Sequence, residues 1–356
     1  MDARDFALKG LFALAIVYAL HAWSAILQPV ALAIFLTLIL SPLVVALKRL
    51  RVPGPVGAAL VVAGLTVGFA YGVYLLFDPA SEWIRQAPHT LNRVERKLRG
   101  VKHSVQNVSK AAQSVEEIAS VEAKKPRRAP PAPPRPSLVN RIFTGAQSML
   151  VSALVTVVLL YFLLASGDMF LRKCVRVAPG LDQKKRVVRV ARAMRSDMGR
   201  YLTTITCINL GLGAITGAAM YLLGMPNALL WGVMVALLNF LPYIGATISL
   251  TVLALVAFLS FDSPGRILAV LGVFLTLTTL EGQVLTPTLT GKRLALNPVV
   301  VFLSMLIWAW LWGPVGALLA VPILMSCKIV CDHFERLAPI GEFLGAELAT
   351  LGQRFK

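Results

Sequence analysis

Two polar side chains stand out because they interrupt apolar sequence in the C-terminal half of the chain. Glu281 is the only acidic residue between residues 266 and 332, and an acidic side chain at membrane depth is a functional-site hypothesis by default. Its carboxylate could take up a proton or a cation. The alternative is an interfacial position in which it pairs with Lys292 or Arg293. Gln283 could supply a neutral hydrogen bond to a solute.

A helix-weakening group lies at the centre of an apolar run, within LLNFLPYIGATIS (residues 237–249). Proline removes a backbone donor and clashes with the carbonyl four residues earlier. Irregular backbone persists at membrane depth only where protein buries it or a wet cavity borders it. A simple proline kink is the alternative. The candidate pathway residues of this stretch are Asn239, Pro242, Tyr243 and Gly245.

Two further interruptions follow in the sequence. The stretch LEGQVLTPTLTGKRLALNP (residues 280–298) separates two apolar runs, and glycine and proline recur between residues 313 and 322. Several discontinuous helices are typical of transporter cores, where the ends of half-helices face polar substrates and ions. The additional pathway candidates are Pro287, Gly291, Asn297 and Pro298, and the candidate hinges or breaks are Gly313, Gly316 and Pro322.

Other kinds of chemistry lack their sequence signatures. The four cysteines are scattered without a CxxC pair, and the four histidines form no ligand cluster, so we expect no metal site. The chain has no GxxxxGK[ST], no HExxH and no nucleophile elbow. We therefore expect neither an enzyme nor a cofactor.

The composition sets the class of protein. Of 356 residues, 57% are hydrophobic, and the mean hydropathy is +0.74. The sequence predicts an all-α, polytopic integral membrane protein with about eight transmembrane or re-entrant helices. The first run is expected to be an uncleaved span. Two runs are long enough to tilt or break. The apolar runs are 6–23, 24–47, 55–77, 145–166, 202–223, 227–261, 267–285 and 299–331.

Basic residues predict the orientation of these helices. The net charge of +18 is concentrated in connections between apolar runs, which fits the positive-inside rule better than nucleic-acid binding. Both termini are then cytoplasmic, with a basic cytoplasmic loop at 167–200. The predicted regions are N-terminal transmembrane helices (1–77), an extramembrane segment (78–141), a transport core (142–331) and a cytoplasmic tail (332–356).

The extramembrane segment carries a heptad pattern. Apolar residues recur every seven positions in two registers across residues 82–122, which is the a/d pattern of a coiled coil. We expect a homo-oligomer, or alternatively one amphipathic helix on the membrane or a neighbouring helix. A proline-rich linker follows at residues 124–136. A second amphipathic stretch, residues 183–202, is expected to contact anionic lipid headgroups or to act only as a topology anchor.

Five motifs of the C-terminal half occur in a fixed order over about residues 140–335. They are Pro226-Asn227-x-x-Leu230-Trp231-Gly232, Asn239-x-x-Pro242-Tyr243-x-Gly245, Glu281-x-Gln283 with Pro287, Gly291-Lys292-Arg293-Leu294 ending at Pro298, and Gly313-x-x-Gly316 leading to Ala320-Val321-Pro322. Through these motifs the chain resembles the autoinducer-2 exporter family of bacterial membrane proteins, also described as PerM-type permeases. Gly282, Ala295 and Asn297 depart from residues frequent in the family, which leaves the cargo open.

The resemblance implies a transporter of a small polar solute or signalling molecule across the bacterial inner membrane. The chain has no ATP-binding motif, so an ion gradient would supply the energy, or the pathway is passive. The family name records autoinducer-2, and other members are linked to sodium–proton exchange. Two alternatives therefore stay open: a sodium–proton antiporter of the same architecture, and a non-transporting oligomeric scaffold.

Overall fold

The computed structural model describes residues 3–110, 138–290 and 296–345, and their architecture is all-α. By length and composition, six helices of these residues can cross a membrane, as predicted for a polytopic membrane protein. The α-helices are α1 (Ala3–Ala22), α2 (Ser24–Arg49), α3 (Gly54–Lys110), α4 (Leu138–Ser166), α5 (Met169–Val177), α6 (Leu181–Ala193), α7 (Gly199–Leu222), α8 (Ala228–Leu238), α9 (Ile244–Ser260), α10 (Pro264–Leu280), α11 (Thr286–Thr290), α12 (Pro298–Asp332) and α13 (Ala338–Leu344).

The third helix includes the position after residue 77 at which we predicted that the membrane-spanning part ends. It continues through Pro79 as far as Lys110, the last described residue of this stretch. The apolar span and the amphipathic segment are therefore one helix up to that point. Most of the heptad pattern falls on residues whose side chains are not described, and residues 111–137, with the proline-rich linker, lie outside the described residues.

The N-terminal helices pack through small and branched side chains. Ala33 of α2 and Ala58 of α3 are fully buried, and they share a cluster with Val44 and with Leu160 of α4. Alanine at such contacts lets helix backbones approach closely, which favours helix association in membranes. These three helices thus form one packed group.

The basic connection predicted at 167–200 is helical. It consists of α5, α6 and a π-helical turn, Met194–Met198, that joins α6 to α7 without a break. Arg195 in this turn forms an ion pair with Asp168, at the start of α5. We call this side of the molecule, which carries the Lys and Arg residues of α5 and α6, the basic end.

The apolar run 227–261 folds back on itself as a helical hairpin, the first hairpin. Its helices α8 and α9 have 11 and 17 residues, and 11 residues rise only about 16 Å along a helix. That length is too short to cross a hydrocarbon core of about 30 Å. Residues 239–243 form the tip, where the chain reverses.

The helix α12 also folds back, forming the second hairpin. Gly313 has non-helical dihedral angles (φ 64°, ψ −146°). The Ser304 hydroxyl donates to the carbonyl of Ala320 at 3.2 Å, although 16 residues span about 24 Å in a straight helix. Residues 298–312 and 314–332 are therefore antiparallel half-helices, with the tip at Gly313.

The two hairpins enter from opposite ends of the molecule. Trp83 lies about 30 residues along α3, far from the basic end at which that helix starts. It packs edge-on against Trp231 of α8, with ring centroids 5.3 Å apart. The second hairpin ends instead beside α6, where the Arg186 guanidinium lies 5.1 Å from the ring centroid of Phe334.

Each tip contacts a different part of the protein. Leu241 in the first tip and Ile244, which directly follows the tip, pack against a cluster of buried side chains in the second hairpin. The second tip is tied to the N-terminal helices. Trp312 Nε1 donates to Leu20 O (2.9 Å), the His21 imidazole to Leu311 O (3.2 Å), and Gln28 Nε2 to Trp312 O (3.4 Å).

Candidate functional site

The first tip carries a pair of hydrogen-bonded amide side chains, of which Asn209 is buried and Asn239 is half-buried. Asn239 Nδ2 donates to Asn209 Oδ1 at 2.9 Å, and Asn209, on α7, is only 1% exposed. The bond joins the broken helix to an unbroken neighbour. A hydrogen bond inside apolar protein is expensive to leave unmade, so this pair fixes the position of the tip relative to α7.

The chain reverses at the first tip through a strained turn. Pro242 supplies no N–H, and Tyr243 has φ 65° and ψ −52°. Ile244 N donates to Pro242 O at 2.7 Å, which completes a classic γ-turn, a rare and strained conformation. Strain of this kind persists where the surroundings over-determine it, and it clusters at ligand clamps and switches.

Replacing Tyr243 with glycine is expected to stabilise the protein by up to about 1 kcal/mol, because glycine adopts positive φ without a steric penalty. Little packing is lost, since Tyr243 is 59% exposed. Thermal unfolding measures the effect, with Tyr243→Phe as the control that should leave Tm unchanged. A Tm for Tyr243→Gly below that of the wild type would contradict the strain interpretation.

The reversal also requires glycine at position 245. A Cβ atom there would lie 1.9 Å from the carbonyl oxygen of Leu238. The two half-helices can approach this closely only because Gly245 has no side chain. The sequence-predicted Asn239, Pro242, Tyr243 and Gly245 thus all belong to one turn.

Polar groups on α7 remain without partners beside this turn. Within the described part of the chain, neither the Asn209 amide nitrogen nor the hydroxyl of Thr216, which is fully buried, has a hydrogen-bond partner. The two residues are seven apart and share a helix face. Buried polar groups are nearly always paired with protein or ordered water. Water or a polar solute would satisfy these two donors.

Glu281 begins a π-helical turn, Glu281–Leu285, between α10 and α11. Its half-buried carboxylate accepts a hydrogen bond from the Thr286 hydroxyl. The turn packs against α7, the helix that carries Asn209. Single π-turns inside α-helices are frequent at functional sites. The described contacts do not join Glu281 to the amide pair.

The remaining candidates of this second stretch lie in a helix rather than in a break. The chain stays helical from Pro264 to Thr290. Pro287 is the second residue of α11, which directly follows the π-turn. Gln283 and Pro287 are both exposed. Gly291, together with Lys292 and Arg293, lies outside the described residues.

Asn297 and Pro298 start the second hairpin. The Asn297 side chain accepts a hydrogen bond from Val299 N at 3.0 Å and so caps α12, and Pro298 occupies its first turn. Both residue types are favoured at these positions for backbone reasons alone. Helix capping is therefore enough to explain why Asn297 and Pro298 occupy these positions.

The three predicted hinges have different surroundings. Gly313 forms the tip of the second hairpin, and a Cβ at Gly316 would lie 1.9 Å from Trp308 O. Pro322, in contrast, is buried inside the second half-helix, whose dihedral angles remain helical there. Membrane helices accommodate such a proline when neighbouring groups satisfy the freed carbonyl.

Sequence reasoning missed Asn209. Its signal was present, because Asn209 is the only amide or charged side chain in the apolar run 202–223, and polar residues inside membrane helices are typically functional. The run contains no proline, however, so a search for interrupted helices passes over it.

Comparison with known proteins gives a consistent result. Residues 11–336 match the sequence model of the family described as "AI-2E family transporter". The chain is 30% identical to "Putative transport protein YhhT" of Escherichia coli over 330 residues (93% of this chain, 91% of the relative). It is 27% identical to "AI-2 transport protein TqsA" of Escherichia coli (86% of both) and 26% identical to a "Putative transport protein" of Haemophilus influenzae (95% of both).

Proposed function

The chain belongs to the AI-2E family of transporters, and on this premise we propose that it carries a small polar solute across the bacterial inner membrane between its two hairpins. The hydrogen-bonded Asn209–Asn239 pair, in which Asn209 is buried, is the observation that carries the proposal. Asn209 would donate its unpaired N–H to an acceptor on the solute. Thr216 would supply a second polar contact on the same face of α7.

The hairpin architecture supports a route at this position. At the first tip the C-terminal end of α8 and the N-terminal end of α9 meet within five residues (239–243). The backbone dipoles of half-helices end there, with carbonyls from one and amides from the other. Transporters use such ends to bind polar groups and ions at membrane depth.

The cargo proposed first is autoinducer-2. That solute is named for one relative, TqsA, which aligns with 86% of this chain. A hydroxyl-rich or carbonyl-rich molecule matches the donors and acceptors of paired asparagines. The first solute to test is therefore autoinducer-2, followed by other small neutral polar compounds.

Glu281 is proposed to couple transport to an ion gradient. Its carboxylate is half-buried in a π-turn packed on α7, and it could exchange a proton or sodium while the solute occupies the amide pair. The same observation favours the second candidate, sodium–proton exchange without an organic solute. In that case flux would follow pH and sodium alone.

Topology and assembly are further proposals. With the basic end in the cytoplasm, both termini are cytoplasmic, in keeping with the positive-inside rule. The first hairpin then enters from the outside and the second from the cytoplasm. The heptad pattern of residues 82–122 supports a homo-oligomer.

Reconstitution in liposomes tests the proposed function. Wild-type protein should carry autoinducer-2 when a proton or sodium gradient is imposed, and protein-free liposomes provide the background. Flux of the ions without any solute dependence would support exchange instead. Absence of flux of any tested solute or ion under every gradient would favour the scaffold and overturn the transporter proposal.

Replacing Glu281 with glutamine is expected to reduce gradient-driven flux by roughly tenfold or more. A neutral glutamine can neither take up and release a proton nor balance the charge of a bound sodium ion. Glutamine still accepts the hydrogen bond from Thr286, so the π-turn should survive. Solute counterflow without a gradient should stay within about twofold of wild type. Equal gradient-driven flux in the variant would remove Glu281 from the coupling mechanism.

A further inference from the structure

A cavity lies at the basic end, away from the amide pair. Its volume is about 1010 Å³, and it is bounded by residues of α2, α4, α5 and α6 and by the C-terminal end of α12. This volume is at the upper end of the range typical of ligand pockets. The proposed solute route does not involve it.

The wall of this cavity is mainly apolar. Ile34 and Leu38 of α2, Leu163 of α4, Phe170 of α5 and Val190 of α6 all line it. Ile34 is 45% exposed and Phe170 is 53% exposed, so the apolar wall is open to the surroundings of the helices. Since α2 and α4 are membrane-spanning helices, those surroundings are the lipid bilayer.

The polar part of the lining has an excess of positive charge. Its charged residues are Asp168, Arg186, Arg192 and Arg195, and Asp168 is already paired with Arg195. Arg186 stacks on Phe334, but among the described residues neither it nor Arg192 has an acidic partner. Two positive charges are thus left at the edge of an apolar cavity.

We propose that this cavity binds an anionic phospholipid of the surrounding leaflet. The acyl chains lie against the apolar wall, and Arg186 and Arg192 hold the phosphate. The match is one of charge and of polarity: a phospholipid presents a negative head and apolar chains in the same arrangement. Basic pockets between helices at the cytoplasmic side are suited to anionic lipid heads.

A lipid bound in this cavity would contact the N-terminal helices on one side and the end of the second hairpin on the other. The cavity borders α2 and α4 on one side, and α6 and Phe334, which follows the second hairpin, on the other. An acyl chain filling the space would stabilise the contact between these parts. The expected consequence is a higher Tm with anionic lipid than with zwitterionic lipid.

Purified full-length protein, delipidated in detergent, tests the proposal with phosphatidylglycerol and phosphatidylcholine as probes. We expect phosphatidylglycerol to raise Tm and to remain bound in native mass spectrometry, and phosphatidylcholine to do neither. The R186Q/R192Q variant should bind phosphatidylglycerol roughly thirtyfold more weakly. The matched control is K185Q/R189Q, on the same helix, whose residues line a separate groove with Lys184. It should stay within about threefold of wild type.

Three further measurements make the test specific. V190W should weaken phosphatidylglycerol binding by filling the cavity while leaving every charge in place, and R186K/R192K, which also keeps the charges, should retain binding. The proposal is overturned if the K185Q/R189Q control loses as much affinity for phosphatidylglycerol as R186Q/R192Q. It is also overturned if neither R186Q/R192Q nor V190W binds less phosphatidylglycerol than the wild type. It is equally overturned if glycerophosphoglycerol, which has no acyl chains, competes as well as the intact lipid.

Discussion

Replacing Gly245 with alanine is expected to prevent the first hairpin from closing. The added Cβ would lie 1.9 Å from Leu238 O and 2.6 Å from its carbonyl carbon, and both atoms belong to backbone. No rotamer change relieves such an overlap, so the half-helices must separate. We expect a loss of about 3 kcal/mol in the free energy of unfolding, near the upper end for overpacking.

Thermal unfolding measures this effect, and a loss of that size corresponds to a drop in Tm of about 6–12 °C. Gly272→Ala is the matched control, because a Cβ at Gly272, within α10, meets nothing within 4 Å. It should leave Tm unchanged or slightly raised. Solute flux should disappear only in Gly245→Ala. Indistinguishable Tm values for the two variants would mean that the half-helices do not approach as described.

Replacing both Asn209 and Asn239 with leucine is expected to lower solute flux by roughly tenfold while leaving the protein folded. Exchanging both partners of a buried hydrogen bond for apolar groups of similar shape can be nearly neutral for stability. The solute would lose the Asn209 N–H proposed to bind it. One lost hydrogen bond costs about 1.5 kcal/mol at most, which corresponds to a fall in flux efficiency of roughly tenfold.

The single variant Asn209→Leu separates binding from packing. It leaves the Asn239 amide without an acceptor, and it should therefore be less stable than the double variant. Thr206→Val is the control on the same helix, because the Thr206 hydroxyl donates only to Leu202 O (2.7 Å) within its own helix. It should transport normally. A double variant that folds and still carries solute at the wild-type rate would exclude the amide pair from the route.

Local backbone chemistry made the hairpins predictable from sequence. Proline and glycine act on the helix at their own positions, so the clusters around Pro242 and Gly313 mark the reversals with no knowledge of the rest of the fold. Hydropathy set the class of protein and its spans for a similar reason, since burial in lipid depends on composition over a short window. Both signals are local, and both agree with the structure.

Features that depend on distant contacts could not be predicted in this way. Asn209 pairs with a residue 30 positions later, and nothing in its own run indicates that partner. Pro287 resembles a helix break in sequence, yet it lies at the start of α11, and the preceding π-turn keeps the chain helical. The continuation of α3 through Pro79, which joins the apolar span to the amphipathic segment, is likewise not indicated by the local sequence.

The bonds between the second tip and the N-terminal helices join residues 284 to 292 positions apart. Leu20 and His21 are synthesised early, and their partners Trp312 and Leu311 leave the ribosome much later. At about 5–20 residues per second the delay is roughly 15–60 s. During that interval α1 and α2 are in the membrane without their final neighbours. Only the insertion of α12, the last long helix, supplies the partners of Leu20 and His21.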